Sequence, residues 1–414
     1  KVSNLGERIR VLYTPYLEIS SDPEDESPLL SAYFERDGGN NLLFLVNPSA
    51  SRKDCLIRLK DDEKDILSVS LPDIGDLWLP FQTLDDGTRG IAITFAPFQS
   101  YLVEFRRDKI VETADQIDFN ECRIDLDSEW DISLEHLNPL RIDDWSLEIV
   151  LADGEKVFGR SSETVNGKPV IDQIEELNIP VPIRTQGAFG TPRRIIFSEF
   201  EAIYSYSFYS ELENPEVWLV IEDGSISGDF YIEINQGNIL PDQFESKTFY
   251  SPTNLAAPVG RYLRKGENKI WVCVKIRNTS DGLLTPIYLF GNIGVVRSGD
   301  YWCMTELPVK GYFGKNTENR IPFYAGEIIY EKEIEFNPDT DYVKFYIGDR
   351  IDSVVSLFIN NVYLGTGCWS PYEWIVPRNL IEEKLRIKLE VPTTLLALFE
   401  GETIDIKTHK ISKI

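Results

Sequence analysis

The sequence predicts an all-β, multi-domain chain: one N-terminal antiparallel β-sandwich followed by two related jelly rolls. Three observations carry that prediction. Short runs of alternating apolar and polar residues, separated by Gly, Asn and Asp turns, recur at hairpin spacing through most of the 414 residues. A helical period is almost absent, which removes the strand–helix alternation that an α/β fold requires. Four strand patterns also occur twice in the same order, as a duplicated sandwich would show.

Taken in order, residues 1–28 are of mixed polarity and end in the acidic run SDPEDES (21–27), a solvated loop. A turn at Asp37-Gly38-Gly39 then joins a strand ending at Arg36 to a second one through Leu42, Phe44 and Val46. IRLK, ILSVSL, LWLPF, IAITF and SYLVEF follow, with a turn at Asp86-Gly87, and the first sandwich is assigned to residues 1–108. Residues 109–320 read as a jelly roll with extra strands and long loops. Strands are expected at 122–130, 145–151 and 181–184, one helical turn at 173–177, and turns at Asp153-Gly154 and Asn166-Gly167. Residues 321–414 are assigned to the second jelly roll.

The repeat is read directly from the residues. IYSYSF (203–208) and IYEKEI (329–334) place Tyr204 on Tyr330 and Phe208 on Ile334. Without a gap, VWLVIED (217–223) meets VKFYIGD (343–349), so that Val217, Leu219, Ile221 and Asp223 fall on Val343, Phe345, Ile347 and Asp349. YIEIN (231–235) sets Asn235 on Asn360, and KIWVCVKIRNTS (269–280) follows LRIKLEVPTT (385–394) by its alternating apolar positions. The richest stretch, SLFINNVYLGTGCWSPYEWIV (356–376), combines a strand, an Asn360-Asn361 turn suited to positive φ, and an aromatic cluster absent from the first copy. Trp218 and Trp271 lie inside alternating strands, as core residues do.

Composition removes several classes of function. With 42 basic against 68 acidic residues the net charge is −26, which repels phosphate backbones and anionic lipid and argues against nucleic-acid or membrane partners. No apolar run approaches the roughly 20 residues of a membrane helix, and no signal-peptide pattern is present. The start at Lys1 is read as that of a fragment or processed product, and the compartment stays open. Five scattered cysteines give no disulfide framework, and Cys273, in an apolar strand, is expected to be buried. Of the two histidines, His409 sits in a basic tail, so any Ser/His/Asp or Cys/His machinery would rest on His136 alone. There is no Gly-x-Ser-x-Gly elbow, no phosphate loop and no His/Cys cluster for a transition metal.

Several of these blocks resemble a known family. The strand–turn pattern around Asn360, followed by glycine, an aromatic residue and a closing alternating strand, is similar to the sugar-binding-type, galactose-binding-like jelly roll of family 2 glycoside hydrolases. IPFYAGEIIYEKEIEF (321–336) and LEVPTTLLALFEG (389–401) resemble the entry and closing elements of the last jelly roll in large bacterial proteins related to glycoside hydrolase family 106. YFERDGGNNLLFLVNPSAS and FAPFQSYLVEF (95–105) resemble the sandwich that follows the catalytic barrel there. The usual Val-Asn-Gly turn is Ile-Asn-Asn at 359–361 and Ile-Asn-Gln at 234–236 here, and the closing Thr-Asn-Ser is Thr393-Thr394-Leu395. The resemblance implies the non-catalytic C-terminal portion of a glycoside hydrolase, without its (β/α) barrel. Its partners would be carbohydrate and the catalytic domain of the same polypeptide. A free-standing carbohydrate-binding or surface-interaction protein is the alternative.

Glycoside hydrolysis would need two carboxylates flanking the scissile bond. Among the many acids, Glu135 beside His136 and Asp143-Asp144 beside Trp145 are the least arbitrary, and no catalytic pair is assigned. Sugar binding would use flat aromatic platforms. The candidates are Trp302, Tyr312 and Tyr324, and, in the aromatic cluster, Trp369, Tyr372 and Trp374; for Trp369 and Trp374 packing is the favoured reading. For a structural calcium, Asp125, Asp127 and Asp131 and also Asn337, Asp339 and Asp341 offer alternating oxygen ligands.

Overall fold

A computed structural model describes residues 17–20, 29–34, 41–49, 51–59, 68–71, 77–80, 82–84, 87–95, 99–106, 119–158, 167, 169–177, 183–186, 193–196, 198–340, 342–348, 353–368, 370–382, 384–405 and 410–414. The fold is all-β and divides into two units: Lys1–Asp125 with Glu333–Leu389, and Leu126–Lys332 with Glu390–Ile414.

The first unit opens with the sandwich expected from the hairpin pattern. One sheet orders the strands Leu17–Ser20, Lys53–Leu59, Arg89–Phe95 and Gln82–Thr83; the other orders Leu30–Phe34, Leu42–Val46, Ser100–Arg106, Ser68–Leu71 and Leu77–Pro80. Alternation sends Leu43, Leu45, Ile57, Ile91, Ile93, Val103 and Phe105 into one shared core. The same unit holds a three-stranded sheet in which Phe119–Arg123 pairs in parallel with Tyr342–Gly348, itself antiparallel to Tyr372–Pro377. The single strand expected over 122–130 is thus two, Phe119–Arg123 and Glu129–Leu134, separated by the polar turn around Asp127-Ser128.

The second unit is a larger sandwich. Its five-stranded sheet orders Asn138–Ile142, Ile287–Gly291, Val217–Glu222, Asn254–Pro258 and Glu245–Ser246. The opposing sheet runs Lys156–Phe158, Ser146–Val150, Phe200–Ser210, Gly266–Ile276, Asp229–Ile234 and Gly237–Ile239, with Tyr301–Glu306 in parallel beside the end of Phe200–Ser210. Leu140, Leu219, Ile221 and Leu289 from one sheet and Ile149, Tyr204, Val272 and Val274 from the other share the core. The helix Val170–Leu177 starts earlier than the turn expected at 173–177, because Val170, Ile171 and Ile174 are buried against that core. Burial of one apolar face here overrides the weak helix propensity of β-branched residues.

The two copies of the repeat share a hydrogen-bonding device as well as a pattern. Asn235 and Asn360 both adopt left-handed backbone, with φ of 54° and 50°. Asn235 donates its N–H to Lys269 O at 2.9 Å and accepts the Lys269 N–H on Oδ1 at 3.1 Å. Asn360 does the same with Arg386, at 2.9 and 2.8 Å. Lys269 therefore corresponds to Arg386, so the buried Ile270, Val272 and Val274 match the buried Ile387, Leu389 and Val391. Tyr204 and Tyr330, also paired by sequence, are both buried, and each hydroxyl accepts a backbone N–H, from Leu283 and Gly314 respectively. In the first copy Gly237 lies so close under Tyr262 that a Cβ would run into the ring.

Four of the five cysteines are buried and Cys368 is exposed. Burial pushes the Cys55 and Cys122 thiols up to about 11 and raises Cys273 and Cys303 as well. A chromogenic thiol reagent at pH 8 is expected to modify one thiol quickly in the folded chain and the other four only in denaturant. Because Leu289 is fully buried, Leu289→Ala should cost roughly 2–5 kcal/mol, read from urea unfolding.

Candidate functional site

The site of interest lies on the far face of the five-stranded sheet in the second unit. Alternation along Ile287–Gly291 sends Ile287 and Leu289 into the core, and Tyr288 and Phe290 to the other side. There they join Val220, Ala256 and Leu398 in a separate cluster, with Trp218, Phe249 and Tyr250 packed against it. Two segments cover this face: the loop before Asn254–Pro258, and the short C-terminal helix Leu396–Glu400.

Side chains fix both covers. Asn254 Oδ1 accepts the N–H groups of Phe249, Tyr250 and Ser251 at 3.2, 3.1 and 3.0 Å. Glu222 holds the same loop: its Oε1 accepts from Ser251 Oγ at 2.9 Å and from Thr253 Oγ1, and its Oε2 accepts from Asn254 Nδ2 at 2.8 Å. The helix is held from its C-terminal end, where carbonyls lack intrahelical partners. Arg141 donates from Nε to Leu398 O at 3.0 Å and from Nη2 to Phe399 O at 2.9 Å, placing a cation at the negative end of the helix. Tyr288 adds a hydrogen bond to Leu398 O at 3.2 Å. Gly401 closes the helix at φ 62°, where a Cβ would meet Arg141 Nη1 at 2.9 Å. Asp143 pairs with Arg141 at 2.9 Å, both side chains being only about a tenth exposed.

Between these covers opens a cleft of about 590 Å³, lined among others by Arg141, Asp143, Glu222, Tyr250, Thr285, Tyr288, Phe399, Glu400 and Lys413. Its volume suits a small ligand. Tyr250 lines it, with Phe399 edge-on at 5.6 Å and Tyr288 edge-on at 5.3 Å. Burial, with Tyr288 and Glu222 nearby, raises Tyr250, and burial pushes Tyr288 up to about 12. Both phenols are therefore neutral hydroxyls near neutral pH. A second cleft of about 540 Å³ is lined by Glu135, His136, Lys247, Phe249 and Val309 among others. Glu135 and His136 lie 3.5 Å apart there, about half exposed. Of the acids singled out from sequence, Asp143 thus lines the first cleft, Asp144 is exposed to solvent and Trp145 is core.

The aromatic candidates are dispersed. Tyr324 is buried, its hydroxyl donating to Glu327 O at 2.9 Å and accepting from His136 N at 3.2 Å. Tyr372 is buried and bonds Ser353 O at 2.9 Å, and Trp374 is buried on the same strand beneath Gly365 and Gly367. These three offer no face to a ligand: Tyr372 and Trp374 are turned inward by alternation on Tyr372–Pro377, where Trp374 packs as expected, and Tyr324 is held inside by its two backbone hydrogen bonds, so Tyr324 and Tyr372 are corrected to packing. Trp302 is half-buried, edge-on to Phe323 at 4.9 Å, whereas Tyr312 is exposed at the end of Lys310–Tyr312. Trp369 lies outside the described residues. Of the calcium candidates, Asp125 is exposed in the first unit and Asp127 and Asp131 are exposed in the second. Asn337 Oδ1 accepts from Arg378, Asp339 donates its N–H to Asn120 Oδ1 at 2.7 Å, and Asp341 lies outside the described residues. Among the described residues no group of three His, Cys, Asp or Glu side chains is gathered as a metal site. No helix among them is long and apolar enough to cross a membrane.

The cleft residues Tyr250, Tyr288, Phe399 and Arg141 were not singled out by sequence reading. One signal was available: the unbroken apolar run IYLFG at 287–291, which marks a strand buried on both faces.

Removing Arg141 takes their partner from Asp143 and the Phe399 carbonyl and leaves Leu398 O with Tyr288 alone. Arg141→Leu is expected to cost about 3 kcal/mol and to speed hydrogen exchange around 398–401, and Asp143→Asn should cost about 1 kcal/mol. Tyr288, Tyr324 and Tyr330 are each pushed up to about 12 by burial, from 10.0. Folding favours their protonated form, so their contribution is complete below about pH 10 and is lost as pH rises towards 12. Unfolding midpoints should fall across that window, with delayed phenolate absorbance.

No family model matches the chain, and no curated protein matches it. Among solved structures, it is similar to a rhamnosidase from Novosphingobium sp. PP1Y, at 14% identity over 70% of this chain and 26% of that one, with a TM-score of 0.21. It is also similar to a β-D-mannosidase from Dictyoglomus thermophilum (15% identity, 62% of this chain, 31% of that one, TM-score 0.25). A third is a β-D-glucuronidase from the same organism (10% identity, 59% and 38%, TM-score 0.24). The chain spans about a quarter to two-fifths of the length of these structures.

Proposed function

We propose that this chain is a non-catalytic accessory region of a large glycoside hydrolase, supporting a catalytic barrel carried elsewhere in the same polypeptide and contacting carbohydrate. The observation that carries the reading is the Asn-turn element. It occurs twice with the same hydrogen bonds, in a sequence setting that resembles the sugar-binding-type jelly roll of family 2 glycoside hydrolases. Two further points support it. The sequence contains no strand–helix alternation of the kind a barrel needs. In the cleft beside Tyr250 both oxygens of Glu222 are taken by the loop at 251–254, and Asp143 is paired with Arg141, so these acids are engaged in holding structure. A general acid or base must instead be within reach of the proton it transfers.

Two measurements test the proposal. The reading frame upstream of the Lys1 codon is expected to encode a (β/α) barrel; a signal-peptide cleavage site immediately before Lys1 would overturn the accessory role. The purified chain is expected to release no nitrophenol from a panel of aryl glycosides, and hydrolysis by the chain alone would sink the non-catalytic assignment.

A further inference from the structure

The cleft beside Tyr250 holds the partners that an uncharged sugar needs and lacks those that an acidic sugar needs. Phe399 stands edge-on to the partly buried Tyr250 at an interplanar angle of 76°, giving two ring orientations beside one slot, with the buried Tyr288 packed against Tyr250. Phe399 is 42% exposed, so part of its ring is open to a ligand. Apolar C–H faces of a pyranose pack on such rings, while its hydroxyls, each a donor, need acceptors close by. These are at hand. Asp143 spends Oδ2 on Arg141, and no protein donor reaches its Oδ1 among the described residues. Thr285 Oγ1 donates to Ser225 Oγ at 2.7 Å, which leaves its lone pairs for a sugar hydroxyl.

A carboxylate would find the opposite. Selecting an anion takes a free guanidinium fork or an unpaired cation. Arg141 already spends Nε and Nη2 on the helix carbonyls and Asp143. Lys413, the other cation at the cleft, lies 3.8 Å from Glu402. Asp143, Glu222 and Glu400 outnumber the two cations around the opening, on a chain of net charge −26. We propose that this cleft is a binding site for a neutral pyranoside of one or two rings, and that it discriminates against uronic acids. The proposal rests on the reading that the chain contacts carbohydrate, and adds the place and the ligand class.

The test uses the full 414-residue chain on an array of neutral mono- and disaccharides and their uronic-acid counterparts, followed by calorimetry on each binder. Neutral glycans are expected to bind and the matched uronates to bind at least about tenfold more weakly. Phe399→Ala keeps the backbone carbonyl that Arg141 holds and should weaken neutral binding about tenfold or more, a loss of aromatic contact. Thr285→Val should weaken it less, and Glu400→Gln should narrow the gap between neutral and acidic sugars. Tyr209→Ala, which removes one of a tyrosine pair outside the cleft, should leave affinity unchanged. Thermal melts of each variant separate lost binding from lost fold. Neutral binding undiminished in folded Phe399→Ala and Thr285→Val would place the sugar elsewhere, overturning the site while sparing the carbohydrate reading. Uronates binding as well as neutral sugars would overturn the ligand class. If no glycan on the array bound, both would fall.

Discussion

The strand Ile287–Gly291 has no polar side: its neighbours in the five-stranded sheet bury one face against the main core and leave the other lined with rings. A sheet of this kind cannot stop at solvent. Its second face has to be covered, and a loop and the short C-terminal helix cover it, with Leu137 and Ala325 packed against the same cluster. Neither has much intrinsic preference for its conformation; a five-residue helix is far below the length at which helices persist alone. Polar side chains therefore do the fixing, with Asn254 and Glu222 on the loop and Arg141 on the helix. The cleft is the gap that two small covers leave over one large aromatic face.

Legibility followed locality. Hairpin strands, turn residues and the Asn235/Asn360 match were visible in sequence because each is decided by residues within about ten positions. The described strands of the first unit follow the alternation read for them, and the register of the repeat only needed the two Asn–backbone pairs to fix it. What pattern reading could not supply was contact over distance. Phe119–Arg123 pairs in parallel with a strand more than 200 positions on, and nothing local in either segment announces the other. The cleft draws on Arg141, Glu222, Tyr250, Tyr288 and Phe399, from five separate segments. Two of the aromatic residues chosen from sequence are buried for a related reason. Trp374 and Tyr372 stand on a strand whose inward and outward faces are set by its partner, so density of aromatics said little about exposure.

The duplicated Asn turn shows how a scaffold element can be kept while its surroundings diverge. In each copy one side chain satisfies a backbone N–H of the adjacent strand and its own backbone bonds the same residue, which pins hairpin to strand without apolar contact. The first copy leads from that turn into Gly237 under Tyr262, the second into the Val362–Gly367 strand beneath which Trp374 packs. The shared part carries register, and the differing parts carry what is specific to each copy.

The Arg141 clamp has a thermodynamic corollary. Phe399, which forms one wall of the cleft, is positioned by a helix docked through the Arg141 guanidinium, the Tyr288 hydroxyl and the buried Leu398. Whatever occupies the cleft binds the docked helix and not the released one, so occupancy and docking must reinforce each other by the same free energy. A small ligand held at this wall would act at the same time as a fastening for the C-terminal end of the chain.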